Sequence, residues 1–381
     1  MQGVEEFRAG VRDWLAENLA GEFAALKGLG GPGREHEAFE ERRAWNQHLA
    51  EAGLTCLGWP VEHGGRGLSV AHRVAFYEEY AIANAPAKVN HFGEELLGPT
   101  LIAFGTPEQQ QRFLPRILDV TELWSQGYSE PGAGSDLANV ATSAVLDDDE
   151  WVINGQKVWT SLAHWAQWCF VLARSEKGSK RHAGLSYLLV PLDQPGVEVR
   201  PIVQLTGDSE FNEVFFDDAR TDAGLVVGSP GDGWRVAMGT LTFERGVSTL
   251  GQQIVYAREL DGVVELAKRS GAADDPLIRE RLTRSWAGLR AMRSYALATM
   301  DVEQPGQDNV SKLLWANWHR DLGEIAMDVR GKTGLVLDGG DFDEWQRLYL
   351  FTRADTIYGG SNEIQRNIIA ERVLGLPREA R

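Results

Sequence analysis

The amino-acid sequence predicts an α+β multi-domain chain. An N-terminal α-helical domain is expected over 1–123, a small middle β-sandwich or barrel domain over 124–232, and a C-terminal helical domain over 233–381. Three observations predict it. The hydrophobic period is helical at both ends of the chain. Between about 124 and 230 it breaks into short β-branched and aromatic runs separated by turn formers. The order helical, β, helical is also not the βαβα alternation of a doubly wound sheet, and 381 residues leave room for two or three such units.

Each block has its own pattern. Val4, Phe7, Val11, Trp14/Leu15 and Leu19 recur at three- and four-residue steps, the spacing of one buried helical face. Similar periods predict helices over 38–52, 70–83, 93–104 and 107–118, with Gly28–Gly33 and Gly64–Gly67 as loops. In the middle block Trp151–Ile153, Trp168–Leu172, Leu185–Leu192, Val197–Val203 and Glu213–Phe216 read as strands, and Asn154-Gly155 reads as a hairpin turn. Longer helices are expected over 234–270, 276–304, 310–338, 343–357 and 361–374.

Composition narrows the function. With 55 acidic and 38 basic residues the chain carries a net charge of −17, which excludes a general nucleic-acid surface. No apolar run approaches a membrane span and the start shows no basic-then-apolar leader, so a cytoplasmic protein without a membrane partner is expected. Cys56 and Cys169 are too few for a disulfide framework. Gly28–Gly33 formally fits G-x-G-x-x-G, but it follows a helix and carries Pro32 where a nucleotide-binding helix should begin. No metal-ligand spacing is present, and none of the residues is expected to bind a metal.

Three segments remain as carriers of chemistry. Gln126-Gly-Tyr-Ser-Glu-Pro-Gly-Ala-Gly-Ser-Asp136 is either an ordinary Gly-rich connector or a loop whose bare amides and Ser hydroxyls bind pyrophosphate. Asn154-Gly-Gln-Lys-Val-Trp-Thr-Ser161 offers Trp159 either to the core or to the face of a planar heterocycle. Glu244 lies in a small and apolar stripe, Ala237, Leu241, Glu244, Ser248, Gly251, Val255. A carboxylate placed there is either a desolvated general base, an ion-pair partner or a solvent-facing group.

Together with the tail Thr356-Ile-Tyr-Gly-Gly-Ser-Asn-Glu-Ile-Gln-Arg-Asn-Ile-Ile-Ala-Glu-Arg-Val-Leu-Gly375, these motifs resemble the acyl-CoA dehydrogenase family over essentially the whole chain. The resemblance implies that family's fold, with a C-terminal domain like a four-helix bundle, and a non-covalent FAD. It implies dehydrogenation of an acyl-CoA thioester to the trans-2-enoyl-CoA, a carboxylate taking the α-proton while the β-hydride goes to flavin N5. By the same resemblance Ser129, Ser135, Trp159, Ser161, Ser361 and Glu363 contact FAD, and Tyr358 borders the thioester. The Gly359 N–H polarises the thioester carbonyl. Many members carry the catalytic Glu where Gly359 stands here. A subset places it on the earlier helix before an Arg, which assigns Glu244 as the base and Arg245 to the substrate pocket. Of the family's R-x-x-F-G segment Arg269 remains, a cofactor-binding candidate, and the Phe is lost. Its Q-x-x-G-G run is not recognisable in 328–340. An electron-transfer flavoprotein is the implied electron acceptor, and a homo- or hetero-oligomer, dimer or tetramer, the implied assembly. A flavin oxidase, a carrier-protein thioester dehydrogenase and a non-catalytic partner subunit are the competing readings.

Overall fold

The computed structural model describes residues 3–243, 248–299, 305–337 and 339–378. Its helices are α1 (Val4–Asn18), α2 (Phe39–Glu51), α3 (Val70–Ile82), α4 (Gly98–Phe104), α5 (Pro107–Leu118), α6 (Gly233–Phe243), α7 (Ser248–Ser270), α8 (Pro276–Thr299), α9 (Gln307–Arg330), α10 (Glu344–Thr352) and α11 (Asn362–Ile368). The strands are β1 (Trp124–Gly127), β2 (Ser143–Asp147), β3 (Glu150–Ser161), β4 (Trp168–Arg174), β5 (Leu185–Pro191), β6 (Val197–Ile202), β7 (Phe211–Asp222) and β8 (Val226–Val227). Packing divides the described chain into two compact units. One gathers the residues up to Asp13, Val70–Ala83 and those from 248 onward; the other holds Trp14–Ser69 and the described residues from Asn84 to 243.

The second unit contains the sheet, in the order β6-β7-β3-β2-β4-β5-β8, with β1 parallel to β4. Strand β4 shows why its sequence is a continuous apolar run. Cys169, Val171 and Ala173 enter a core shared with Ile153, Val190 and Val214. Phe170 and Leu172 point the other way, into a cluster with Leu97, Leu101, Phe113, Ile117 and Ala237 from the helices. Both faces are covered, so the polar alternation of a half-exposed strand is absent. Helix α5 begins at a capping box between Thr106 and Gln109. Gln109 Nε2 then donates to Gly224 O and Val226 O, at 2.7 and 2.8 Å, fixing the chain around β8.

In the first unit α7, α8 and α9 bury Tyr256, Leu260, Val263, Leu282, Leu289, Leu322 and Ile325 together, with Trp345 of α10 against them. Gly251 permits α3 to approach α7: an added Cβ would lie 2.9 Å from the Tyr77 carbonyl oxygen. Glu78 and Glu79 of α3, both buried, are neutralised by Arg8, Arg12 and Arg293.

Several expectations need correction. Asn154-Gly155 is not a hairpin turn; it lies inside the twelve-residue β3. The turn into β3 is Asp148-Asp149, where Asp148 takes the positive φ (52°) that such loops require. Gly155 is there because Thr142 crosses it, leaving 2.7 Å between an added Cβ and the Thr142 Cα. The helix expected over 310–338 starts earlier and stops at Arg330, where Gly331 at φ 54° ends it. That expected over 343–357 stops at Thr352. Strands β1 and β2 escaped notice because they are short and carry polar residues. Val255, assigned to the apolar stripe of Glu244, is 43 % exposed.

Candidate active site

The loop that follows β1 is held against β3 by a buried ion pair. Lys157, fully buried, donates from Nζ to Glu130 Oε1 at 2.7 Å, to Tyr128 O at 3.1 Å and to Leu172 O at 2.7 Å. Glu130 also accepts from the amides of Ala141 (2.6 Å) and Thr142 (2.9 Å). Burial pushes the Glu130 carboxyl up, but Lys157 and those donors more than offset this and hold it below the usual carboxylate range. Glu130 and Ala133 exchange both backbone hydrogen bonds at 3.0 Å, pinching the loop into a small bend. Gly132 within the bend and Gly134 just after it have no atom within 4 Å of an added Cβ, so the backbone is open to a ligand on that side.

The register of β3 against β7 shifts between Lys157 and Thr160. In that bulge the Val158 N–H turns away to donate to Ser129 O at 2.9 Å. Trp159 takes a left-handed φ of 59°, and its side chain is 57 % exposed. A bulky residue pays about 1–2 kcal/mol to sit there, and an indole left open to solvent recovers little of it in the apo chain. Bulges of this kind re-aim one side chain, here a large flat ring. Gln126 Nε2 and Thr160 Oγ1 are buried with no hydrogen-bond partner among the described residues. An exposed indole, open glycine amides, Ser129, Ser135 and Ser161, and unmatched polar atoms fit a planar heterocycle carrying a pyrophosphate.

The tail forms a second constellation, in the other unit. After α10 the chain turns through Tyr358, Gly359 (φ 60°) and Gly360 (φ 88°). Gln365 Nε2 donates to Gly359 O at 3.1 Å and Gly360 O at 3.2 Å, fixing the turn from inside. Among the described residues the Gly359 N–H donates to no protein acceptor. Ser361 caps α11, its Oγ accepting from Ile364 N at 3.4 Å, and Glu363 is exposed in the first turn, between the buried Asn362 and Gln365. Arg269 is exposed in the last turn of α7, and among the described residues no hydrogen bond or ion pair joins it to the tail. Glu244 and Arg245 lie outside the described residues. Sequence reasoning missed Glu130, Lys157 and Gln365, although all three stand within motifs it had singled out. A buried acid in the loop and a lone Lys in an apolar strand were the available signal.

The matches to known proteins agree in order along the chain. Residues 2–121 match the model of the acyl-CoA dehydrogenase N-terminal domain, 125–219 that of the middle domain and 231–374 that of the C-terminal domain. The chain belongs to the acyl-CoA dehydrogenase family. It is 86 % identical to acyl-CoA dehydrogenase IpdE1 of Mycobacterium tuberculosis, covering 100 % of both chains, and 85 % identical to IpdE1 of Mycolicibacterium smegmatis, covering 99 % of each. Among solved structures it resembles the Tcur3481-Tcur3483 steroid ACAD, with a TM-score of 0.84 at 29 % identity and coverage of 99 % and 98 %. The ChsE4-ChsE5 complex from Mycobacterium tuberculosis matches with a TM-score of 0.81 at 30 % identity, also covering 99 % and 98 %. The chain therefore has the family's three-domain fold and is an FAD-dependent oxidoreductase acting on CH–CH bonds of acyl-CoA thioesters. Among the described residues no helix is long and apolar enough to cross a membrane.

Proposed function

We propose that the chain converts an acyl-CoA thioester to its trans-2-enoyl-CoA, with Glu244 removing the α-proton. The observation that carries this reading is the bulge that turns Trp159 outward beside the Ser129–Ser135 loop. FAD, when bound, accepts the hydride from the β-carbon. Ser129, Ser135, Trp159 and Ser161, with Ser361, Glu363 and Arg269, would hold it. The Gly359 N–H would polarise the thioester carbonyl and so acidify the α-carbon. Tyr358 would border the thioester and Arg245 would line the substrate pocket. Glu244 takes the base role by the family resemblance: the position after the tail Tyr is Gly359, which has no side chain to remove a proton, and Glu244-Arg245 matches the subset that carries the base on the earlier helix.

The names of the related structures, a steroid ACAD and a two-component complex, support a ring-bearing, steroid-derived acyl group and a hetero-oligomer for this chain. An electron-transfer flavoprotein would reoxidise the cofactor. Domains at 1–123, 124–232 and 233–381 are supported by the spans of the three family matches. The test is anaerobic flavin bleaching against a panel of straight-chain, cyclohexane-ring and steroid-ring acyl-CoAs, with the chain alone and co-expressed with candidate partner chains. Bleaching by a ring-bearing thioester is expected. Preference for straight chains refutes the substrate class, and oxygen consumption without an added acceptor points to an oxidase.

A further inference from the structure

The C-terminal unit contains a buried polar cluster that no sequence motif announces. His319 of α9 is engaged at both ring nitrogens: Nδ1 meets Asp355 Oδ2 at 2.7 Å and Nε2 meets Glu259 Oε2 of α7 at 2.9 Å. The second oxygen of Asp355, Oδ1, accepts from the Tyr358 hydroxyl at 2.7 Å. Lys312 Nζ donates to the Asp355 carbonyl at 2.7 Å and lies 4.6 Å from the centroid of the Tyr358 ring, within cation–π range. Tyr256 packs on the imidazole at 4.4 Å between centroids. Asp355 is 1 % exposed, whereas Tyr358 is 37 % exposed. The phenol is thus tied inward while part of its ring remains open.

Burying the Asp355 carboxylate, an imidazole and an ammonium together, with the Glu259 carboxylate half-buried beside them, is costly, and an apolar filling of the same volume would stabilise the fold at least as well. What the cluster provides and an apolar core could not is a fixed direction. Asp355 accepts from opposite sides, so neither its carboxylate nor the Tyr358 hydroxyl is free to rotate. We propose that Glu259, His319 and Asp355 are positioning residues that hold Tyr358 in a single orientation for the acyl thioester. Burial alone would lower the pKa of His319, but its bonds to Asp355 and Glu259 raise it to about 9. At neutral pH it is therefore an imidazolium that donates from both nitrogens. The charged and titratable groups facing it are Glu259, Asp355 and Tyr256, with Tyr358 and Lys312 behind Asp355.

The inference rests on the proposed placement of Tyr358 beside the thioester, and the experiment separates the two. kcat and KM are measured on the FAD-loaded assembly with the panel thioester that bleaches flavin fastest, for Tyr358→Phe, Asp355→Asn and the double variant. Each single change is expected to lower kcat/KM about tenfold, the scale of one charge-assisted hydrogen bond, and the double variant is expected to be no worse than either. Multiplicative losses would overturn the positioning role, because Asp355 would then act without Tyr358. A Tyr358→Phe variant with unchanged kcat/KM overturns the positioning role of the Asp355 bond, whereas an unchanged kcat/KM in Tyr358→Ala, which removes the ring as well, overturns the placement of Tyr358 itself. His319→Gln guards against a folding defect in Asp355→Asn. A strongly downfield imidazole N–H proton resonance, expected in the wild-type holoprotein without substrate, should vanish in His319→Gln and move in Asp355→Asn. Its absence from the wild type would show that the cluster is not assembled as described.

Discussion

Replacing Lys157 by Met removes one cation from the join between the Ser129–Ser135 loop and β3, and the structure sets the size of the effect. Three bonds disappear at once, to Glu130 Oε1, Tyr128 O and Leu172 O. Glu130 keeps its two amide donors but becomes a buried charge without a counterion. Breaking a buried pair from one side costs about 3–5 kcal/mol, so Lys157→Met should lower the unfolding free energy by that amount and release FAD at lower urea than the wild type. Adding Glu130→Gln removes the uncompensated charge while its side-chain oxygen still accepts from Ala141, and should recover much of the loss. The pH dependence has a definite sign. In the wild type the Glu130 carboxyl is held below its ordinary 4.5, so its contribution is present above that pH and is lost as pH falls through the lowered pKa. In Lys157→Met the unpaired carboxyl protonates more readily, so the gap between variant and wild type should narrow on acidification. Urea unfolding followed by flavin fluorescence and far-UV circular dichroism reads all three proteins. A loss under about 1 kcal/mol for Lys157→Met, or a double variant as weak as the sum of the single changes, would refute the ion pair as the anchor of this loop.

Two further predictions concern strain and burial. Trp159→Gly removes a bulky side chain from a left-handed position, so the apoprotein should be stabilised by about 1 kcal/mol while FAD affinity falls; equal losses in both would contradict the reading of an indole held out for a ligand. Glu210 is buried, accepts from Gly33 N at 2.7 Å, and has its carboxyl pushed up to about 7, chiefly by burial. Its folded pKa exceeds its unfolded value of 4.5, so stability falls as pH rises from 4.5 to about 7 and the penalty stays above that. The displacement corresponds to about 3 kcal/mol at full ionisation. Glu210→Gln should therefore be more stable than wild type at pH 8 and nearly equal at pH 4.5, measured by thermal melting.

The parts that were legible in the sequence are those whose burial is periodic or local. The face of Phe7, Val11 and Leu15 announces α1, and the doubly buried run Trp168–Leu172 announces β4, because each pattern is written within one element. The 126–136 loop was legible as a Gly-rich segment open to two readings, and the tail turn through its resemblance to the family. Asn154-Gly155 misled because a dipeptide signal cannot distinguish a turn from a strand crossed closely by Thr142. The pair Glu130–Lys157 and the trio Glu259, His319 and Asp355 join residues 27 to 60 positions apart, and no local period records such a meeting.

The central claim, that Glu244 is the base of an α,β-dehydrogenation, is tested most directly by Glu244→Gln. The variant should bind FAD and the ring-bearing acyl-CoA as the wild type does. Its rate of anaerobic flavin bleaching should fall by about 10²–10⁴-fold, the range of a lost general base. Near-wild-type bleaching by Glu244→Gln would contradict the account and place the base elsewhere in the chain.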